Sequence, residues 1–175
     1  MLWIVAIVFL QKHFYGKRLS FHRNEHHMAL GKKIILFDGV CNLCNGFVQF
    51  VIKRDTNDCF RYASLQSDIG KQLISERNID TKKIDSVLVI EPGVAYYIKS
   101  DAALQVGRHL KGYRTISKVL NLIPRGLRNI IYDFIARYRY AWFGKKDACM
   151  IPTPELKAKF LDWQLYGKPI AQIVW

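Results

Sequence analysis

Two cysteines and an aspartate lie close together in the segment DGVCNLCNGF, residues 38–47. Cys41 and Cys44 are three positions apart, directly after the apolar run KKIILF (32–37) and directly before an apolar, helix-like stretch. A C-x-x-C pair of this kind exchanges electrons, binds a metal or fills a core. The elements around the pair decide which of these it does.

A strand that turns into a helix at this point would place Cys41 near the helix N-cap and Cys44 about one turn further on, where the two sulfurs can meet. Unpaired N–H groups and the partial positive charge at a helix N-terminus favour the thiolate of the first cysteine. We therefore expect Cys41 to be an exposed nucleophile that attacks a disulfide, and Cys44 to be the resolving thiol that closes an internal disulfide.

Asp38 lies three residues before Cys41. A carboxylate beside a partly buried thiol can act as the base that takes the proton of Cys44. Asp-Gly is also a common turn pair, and the chain must bend between the strand and the helix. Both interpretations stay open. Because Asn42 and Leu43 between the cysteines add no positive charge, we expect the pair to act as a reductant or an isomerase rather than as a strong oxidant.

Hydrophobic periodicity predicts the element order βαβαββα. The strand at 32–37 precedes an amphipathic helix from Cys44 to Lys53, and a strand at 59–65 precedes a helix over 67–78 that Ser67 or Asp68 can cap. A hairpin follows, with PGV between its strands, and a third helix is expected to open at Ser100 and Asp101. This order predicts an α/β fold with a four-stranded mixed sheet.

The chain is helical in character beyond residue 112. Apolar residues recur at helical spacing in the segment 124–140, which predicts a helix. Its apolar face is formed by Leu127, Ile130, Ile131, Phe134, Ile135 and Tyr138. Its remaining surface carries Arg125, Arg128, Arg137 and Arg139, either as a solvated face or as a docking face for an acidic partner. A last short helix is predicted near 156–167.

The D-x-x-C-x-x-C arrangement of Asp38, Cys41 and Cys44 resembles the DCC family of thiol-disulfide oxidoreductases. The segments FRYASLQSDIG, KSDAAL, IPRGLRNIIYDFIARYRYAWFGKKDAC and IPTPE are similar to later parts of that family, so the resemblance covers roughly residues 32–156. It implies a thioredoxin-like fold with additional C-terminal helices. Redox-active thioredoxins carry a cis-proline before the third strand, and here Asp85 and Ser86 are expected at that place.

Composition predicts one globular domain and restricts its partners. Four cysteines in 175 residues are too few for a disulfide framework, which favours a reducing, cytoplasmic location. The net charge of +13 favours peripheral contact with acidic surfaces, but no nucleic-acid recognition motif accompanies it. We expect a protein or a low-molecular-weight thiol or disulfide as substrate, and no cofactor. The oligomeric state is not predicted.

We expect residues 1–30 to be an N-terminal extension, residues 31–160 to form the domain with its helical extension, and residues 161–175 to be a tail. The apolar segment 2–10 has about half the length that a membrane-spanning helix needs. Met28 lies four residues before the first predicted strand, so we interpret residues 1–27 as sequence upstream of the natural start. A weak interfacial anchor and an organelle-targeting peptide are the alternatives, because the segment is basic and nearly free of acidic residues. Four histidines in this extension (His13, His22, His26 and His27) are interpreted as solvated.

Two other functional classes compete with thiol exchange. A zinc or iron-sulfur site would need Cys59 and Cys149 as further ligands, but these are single cysteines and not a second close pair. Cys59 is expected to be a small buried residue, and Cys149 either a loop-packing residue or a thiol near the active site. The third class is a non-catalytic interaction module that uses its basic helical face to bind a membrane or a protein partner.

Overall fold

The computed structural model describes residues 31–80, 87–146, 153–154 and 156–164. The predicted N-terminal extension, the four histidines within it, Asp85, Ser86 and Cys149 lie outside the described residues, as does most of the predicted tail. The strands are β1 (Lys33–Phe37), β2 (Phe60–Ser64), β3 (Val87–Glu91) and β4 (Ala95–Ile98). The helices are α1 (Asn42–Arg54), α2 (Asp68–Glu76), α3 (Lys99–Gly107), α4 (Arg114–Leu120), α5 (Arg125–Phe143) and α6 (Leu161–Gln164), with a short 3-10 turn at Lys157–Lys159.

The four strands form one mixed sheet in the order β2-β1-β3-β4. β1 pairs with β2 in parallel, and β1 with β3 and β3 with β4 are antiparallel. The predicted βαβαββα order is confirmed, and the sheet is compatible with a thioredoxin-like fold. A parallel β1–β2 pair requires a crossover, and α1 supplies it.

The two faces of the sheet bury different helices because alternate residues of a strand point to opposite sides. Ile35 and Phe37 of β1 pack with α1 and α3 on one face. Ile34 and Leu36 pack with α2 and with Leu161 on the other. The cysteine pair belongs to the first of these faces.

Two predicted helix starts have different outcomes. Ser67 is the N-cap of α2, since its Oγ accepts the N–H of Gly70 at 3.1 Å. The prediction that Ser100 or Asp101 caps the third helix is wrong, because α3 begins at Lys99 and has no side-chain cap. Ser100 instead donates to Asn129 of α5 at 2.6 Å.

The long helix α5 packs across α1 and α3, next to the first turn of α1. Asp101 of α3 forms ion pairs with Arg125 at 2.8 Å and with Arg128 at 3.1 Å. These contacts fix the first turn of α5, and its last turns therefore reach the loop that joins β1 to α1.

Candidate active site

The cysteine pair lies where β1 turns into α1, as predicted. Cys41 is the N-cap residue of α1 and has extended backbone geometry. Its Sγ accepts the backbone N–H of Cys44 at 3.4 Å, and both thiols are free. The sulfur of Cys41 therefore satisfies an N–H group of the first turn of α1, at the positive end of the helix.

Both cysteines are nevertheless buried. Cys41 has 0% and Cys44 has 3% of its surface exposed, so the prediction of an exposed Cys41 is wrong. The chain that follows α5 pairs with the start of α1 and covers it. Lys146 donates its N–H to the carbonyl of Val40 at 2.8 Å, and Cys41 forms an antiparallel bridge with Lys145. We call residues 144–146 the cover segment.

Gly144 allows the cover segment to turn back from the end of α5. Its φ of 79° and ψ of 171° lie in a region that is essentially restricted to glycine. The carbonyl of Gly144 accepts the N–H of Asn42 at 3.4 Å, and the Asn42 side chain donates to the carbonyl of Phe143 at 2.8 Å. The first residue of α1 is therefore tied directly to the end of α5.

Asp38 is 3% exposed and accepts hydrogen bonds from four groups. One carboxylate oxygen accepts the N–H of Val40 at 3.2 Å and the side-chain N–H of Gln66 at 2.8 Å. The other accepts the hydroxyl of Tyr140 and lies 3.4 Å from Arg139 Nη2. Burial raises the pKa of Asp38, but these hydrogen bonds outweigh it and hold the pKa below its ordinary value. Asp38 is therefore ionised at neutral pH.

The pKa of Cys44 is strongly raised. Burial is the largest cause, followed by the hydrogen bond and charge of Cys41 and by the negative charge of Asp38, while Arg139 acts in the opposite direction. In the dithiol state Cys44 therefore keeps its proton, whereas the sulfur of Cys41 is placed to accept hydrogen bonds.

A family model described as DCC1-like thiol-disulfide oxidoreductase matches residues 35–145. The chain belongs to this family. The match runs from β1 through both cysteines to Lys145, so it includes the helix α5 and reaches the cover segment. The resemblance inferred from the D-x-x-C-x-x-C motif is confirmed.

Two relatives support the assignment. The uncharacterized protein YuxK of Bacillus subtilis is 46% identical over 129 residues, which is 74% of this chain and 93% of YuxK. A chloroplastic DCC family protein of Arabidopsis thaliana is 39% identical over 119 residues, 67% of this chain and 69% of the plant protein. No solved structure matches.

Three side chains of this DCC family site were missed in the sequence. Gln66 is not among the predicted site residues, although its side chain donates to Asp38 at 2.8 Å and accepts the N–H of Gly39 at 3.1 Å. The prediction that Arg139 belongs to a solvated or docking face is wrong, because Arg139 is buried against Asp38, with Tyr140 beside it. Helical periodicity places Arg139 at the edge of the apolar face, and it does not indicate which element packs on that side.

An apolar cavity of about 210 Å³ adjoins the second cysteine. Its wall combines Leu43, Cys44 and Phe47 of α1 with Ala103 of α3 and residues of α5, and two cations, Lys99 and Arg139, lie at its boundary. The cavity is large enough for one apolar side chain, and Cys44 is the only cysteine that lines it among the described residues.

The remaining described cysteine, Cys59, is half-buried at the start of β2 and packs against the core. Burial raises its pKa, and its backbone N–H donates to Asp55 at 2.9 Å. Within the part of the chain that the structure describes, no three His, Cys, Asp or Glu side chains are grouped closely enough to hold a metal.

Proposed function

We propose that this protein is a thiol-disulfide oxidoreductase that exchanges a Cys41–Cys44 dithiol for a disulfide of a protein or of a small thiol compound. The observation that carries the proposal is the contact between the Cys44 N–H and Cys41 Sγ at 3.4 Å, beside an ionised and buried Asp38. Membership of the DCC1-like family supports the same class of reaction. The small number of cysteines is consistent with work in a reducing compartment such as the cytoplasm.

The proposed roles follow from the position of Cys41 at the start of α1 and from the raised pKa of Cys44. The Cys41 thiolate attacks one sulfur of the substrate disulfide, which forms a mixed disulfide and releases the other substrate sulfur as a thiolate. Cys44 then loses its proton and attacks Cys41 Sγ, which closes the internal disulfide and releases the second substrate thiolate. The substrate gains two electrons, and a small thiol or dithiol in excess returns the protein to its dithiol form.

Access to Cys41 requires the cover segment to move. Residues 144–146 follow directly after α5, and we propose that the movement that frees Cys41 also draws Tyr140 and Arg139 away from Asp38. Loss of those two hydrogen bonds removes two of the interactions that hold the pKa of Asp38 down. We propose that Asp38 then accepts the proton of Cys44, so that opening the site and activating the resolving thiol are one event.

The proposal is tested by trapping. Cys44→Ser leaves Cys41 without a resolving thiol, so a mixed disulfide with a model substrate such as insulin should accumulate and disappear on addition of dithiothreitol. Cys59→Ser is the matched control, because it removes another thiol on the same face of the sheet and should leave insulin reduction unchanged. Absence of both a trapped complex and dithiol activity would exclude the proposal.

A non-catalytic interaction module is the second candidate, and the burial of Cys41 favours it. In that case the two cysteines serve packing alone. Cys41→Ser would then leave every cellular effect of the protein unchanged, and counting of free thiols would show no reversible loss of two thiols on oxidation. The oxidoreductase proposal expects that reversible loss, without a stoichiometric metal in the purified protein.

A further inference from the structure

The apolar surface of α4 and α5 is exposed rather than packed. Among the described residues, all exposed large apolar side chains except Val94 and Tyr96 lie between residues 116 and 143. We call the following set the apolar face: Ile116, Val119, Leu120, Leu122, Leu127, Ile130, Ile131, Phe134, Ile135, Tyr138 and Trp142. Ile130 alone has 67% of its surface exposed. Exposed apolar side chains concentrated in two consecutive helices in this way are typical of an interaction site.

The charge around this face is strongly positive. Residues 111–146 carry nine Lys and Arg against one Asp, a net charge of +8. Arg125, Arg128 and Arg139 are paired with carboxylates, whereas Lys111, Arg114, Lys118 and Arg137 are exposed and have no carboxylate partner among the described residues. The last turns of helix α5 also carry aromatic rings that contact each other. The rings of Tyr138 and Trp142 are stacked, with 5.5 Å between their centroids.

Helix α4 has a basic flank and an apolar flank. Arg114 and Lys118 are one turn apart on one side, and Ile116 and Leu120 are one turn apart on the other. The basic flank also lines an open groove of about 1090 Å³ between α4 and the end of α1, to which Arg108 and Lys111 contribute. Apolar contact and anion binding are therefore available side by side on one helix.

We propose that the apolar face and the adjoining basic groove bind the surface of an anionic lipid bilayer. Exposed apolar side chains beside Lys and Arg, with Trp and Tyr at the margin, are the properties of a helix that lies in the headgroup region. Among the described residues, no helix is both long enough and apolar enough to cross a membrane.

The charge argues against two other occupants of the face. A second copy of the chain would bring the same net charge of +8 against this one, and the two faces would repel each other. The second alternative occupant is the N-terminal segment 1–33 of the same chain. It is also basic, with six Lys and Arg against one Glu, so it too would be repelled by the cations around the face. Anionic headgroups are complementary to the cations, and their acyl chains are complementary to the apolar face.

The experiment is co-sedimentation of the full chain with vesicles of phosphatidylcholine, with and without phosphatidylserine. We expect binding to the phosphatidylserine vesicles that weakens as salt increases. Phe134→Ser together with Ile130→Ser should lower the affinity about tenfold or more, and Lys118→Glu should lower it about fivefold or more. All three side chains are exposed, so the variants should fold.

The matched controls make the same chemical changes elsewhere. Val94→Ser removes an exposed apolar side chain from the β3–β4 turn, and Lys71→Glu reverses a charge on α2, which packs on the opposite face of the sheet. Both should bind vesicles as the unmodified protein does. Equal binding of the Phe134→Ser, Ile130→Ser double variant and the Val94→Ser protein would overturn the proposal, as would absence of binding to anionic vesicles.

Two further results would assign the face to another occupant and so also overturn the proposal. One is a dimer in analytical ultracentrifugation that Phe134→Ser dissociates, without vesicle binding. The other is cross-linking of the segment 2–10 to α5 in the presence of vesicles. Insulin reduction is measured separately, on protein without vesicles. Failure of the membrane proposal would therefore not affect the oxidoreductase proposal, and failure of the oxidoreductase proposal would not affect the membrane proposal.

Discussion

The guanidinium of Arg139 lies 3.4 Å from the carboxylate of Asp38, although 101 positions separate the two residues in the chain. Both side chains are buried, and Arg139 also donates to the carbonyl of Ala136 at 2.6 Å. The pair fixes the end of α5 against the turn that precedes Cys41. Loss of either partner would leave a buried charge without its counterion.

Arg139→Met should therefore lower the free energy of unfolding by about 3–5 kcal/mol. Urea denaturation at neutral pH measures this change. The double variant Arg139→Met with Asp38→Asn removes both charges and should recover most of the loss. Arg137→Met is the matched control on the same helix, where the side chain is exposed, and it should change stability by less than about 0.5 kcal/mol. An equal loss in the single and double variants would contradict a specific ion pair.

Tyr140→Phe removes the hydroxyl that donates to Asp38. A hydrogen bond to a charged group contributes about 1.5–3 kcal/mol, so we expect a loss of that size at pH 7. The hydrogen bonds hold the pKa of Asp38 below its ordinary value, so their stabilisation is present above the pKa of the unfolded state and is lost as pH falls through the folded pKa. The difference between Tyr140→Phe and the unmodified protein should shrink in acid.

Tyr138→Phe is the control for this pH dependence, because its ring on α5 is about as exposed as that of Tyr140 and its hydroxyl is not among the groups that donate to Asp38. Urea denaturation of the three proteins at neutral and acidic pH gives the comparison. The assignment would be wrong if Tyr140→Phe lost the same stability at both pH values, or if Tyr138→Phe behaved in the same way.

Local patterns in the sequence predicted the framework of the site. The apolar run of β1, the cysteine pair at the start of α1 and the Ser67 cap of α2 each depend on residues within one or two turns of each other. The hairpin of β3 and β4 was also predictable, because its two strands are close in sequence and are joined by a short turn. The sequence therefore predicted the position of Cys41 at the helix start and the element order.

Contacts between distant elements were not predicted. Ser100 and Asp101 have the chemistry of cap residues, but their side chains bind α5 instead. Periodicity identified the apolar side chains that share one face of α5, but it cannot show whether another element covers that face. The burial of Cys41 has the same origin, since the cover segment comes from about 100 residues further along the chain.

Two glycines in helices should respond in opposite ways to alanine. A Cβ at Gly70 would lie 2.0 Å from the carbonyl oxygen of Ser64, so Gly70→Ala should destabilise the fold by about 1–3 kcal/mol or more. A Cβ at Gly46 in α1 meets nothing within 4 Å, and Gly46→Ala should stabilise the protein by about 0.5–1 kcal/mol because glycine is costly inside a helix. Thermal unfolding of both variants tests the packing between α2 and β2, and a stable Gly70→Ala protein would contradict it.

Gly144→Ala should open the cover over Cys41. Alanine strongly disfavours the φ of 79° at this position, and its Cβ would approach the Asn42 side-chain amide to 3.1 Å. The cover segment should then separate from Val40 and Asn42, and Cys41 should react faster with iodoacetamide. Mass spectrometry of the labelled peptides separates Cys41 from the other cysteines. Gly126→Ala is the control, because a Cβ there meets nothing within 4 Å and the residue lies in the first turn of α5, far along the helix from the cover segment. If Cys41 reacted at the same rate in both variants, residues 144–146 would not be the barrier that keeps reagents from the sulfur.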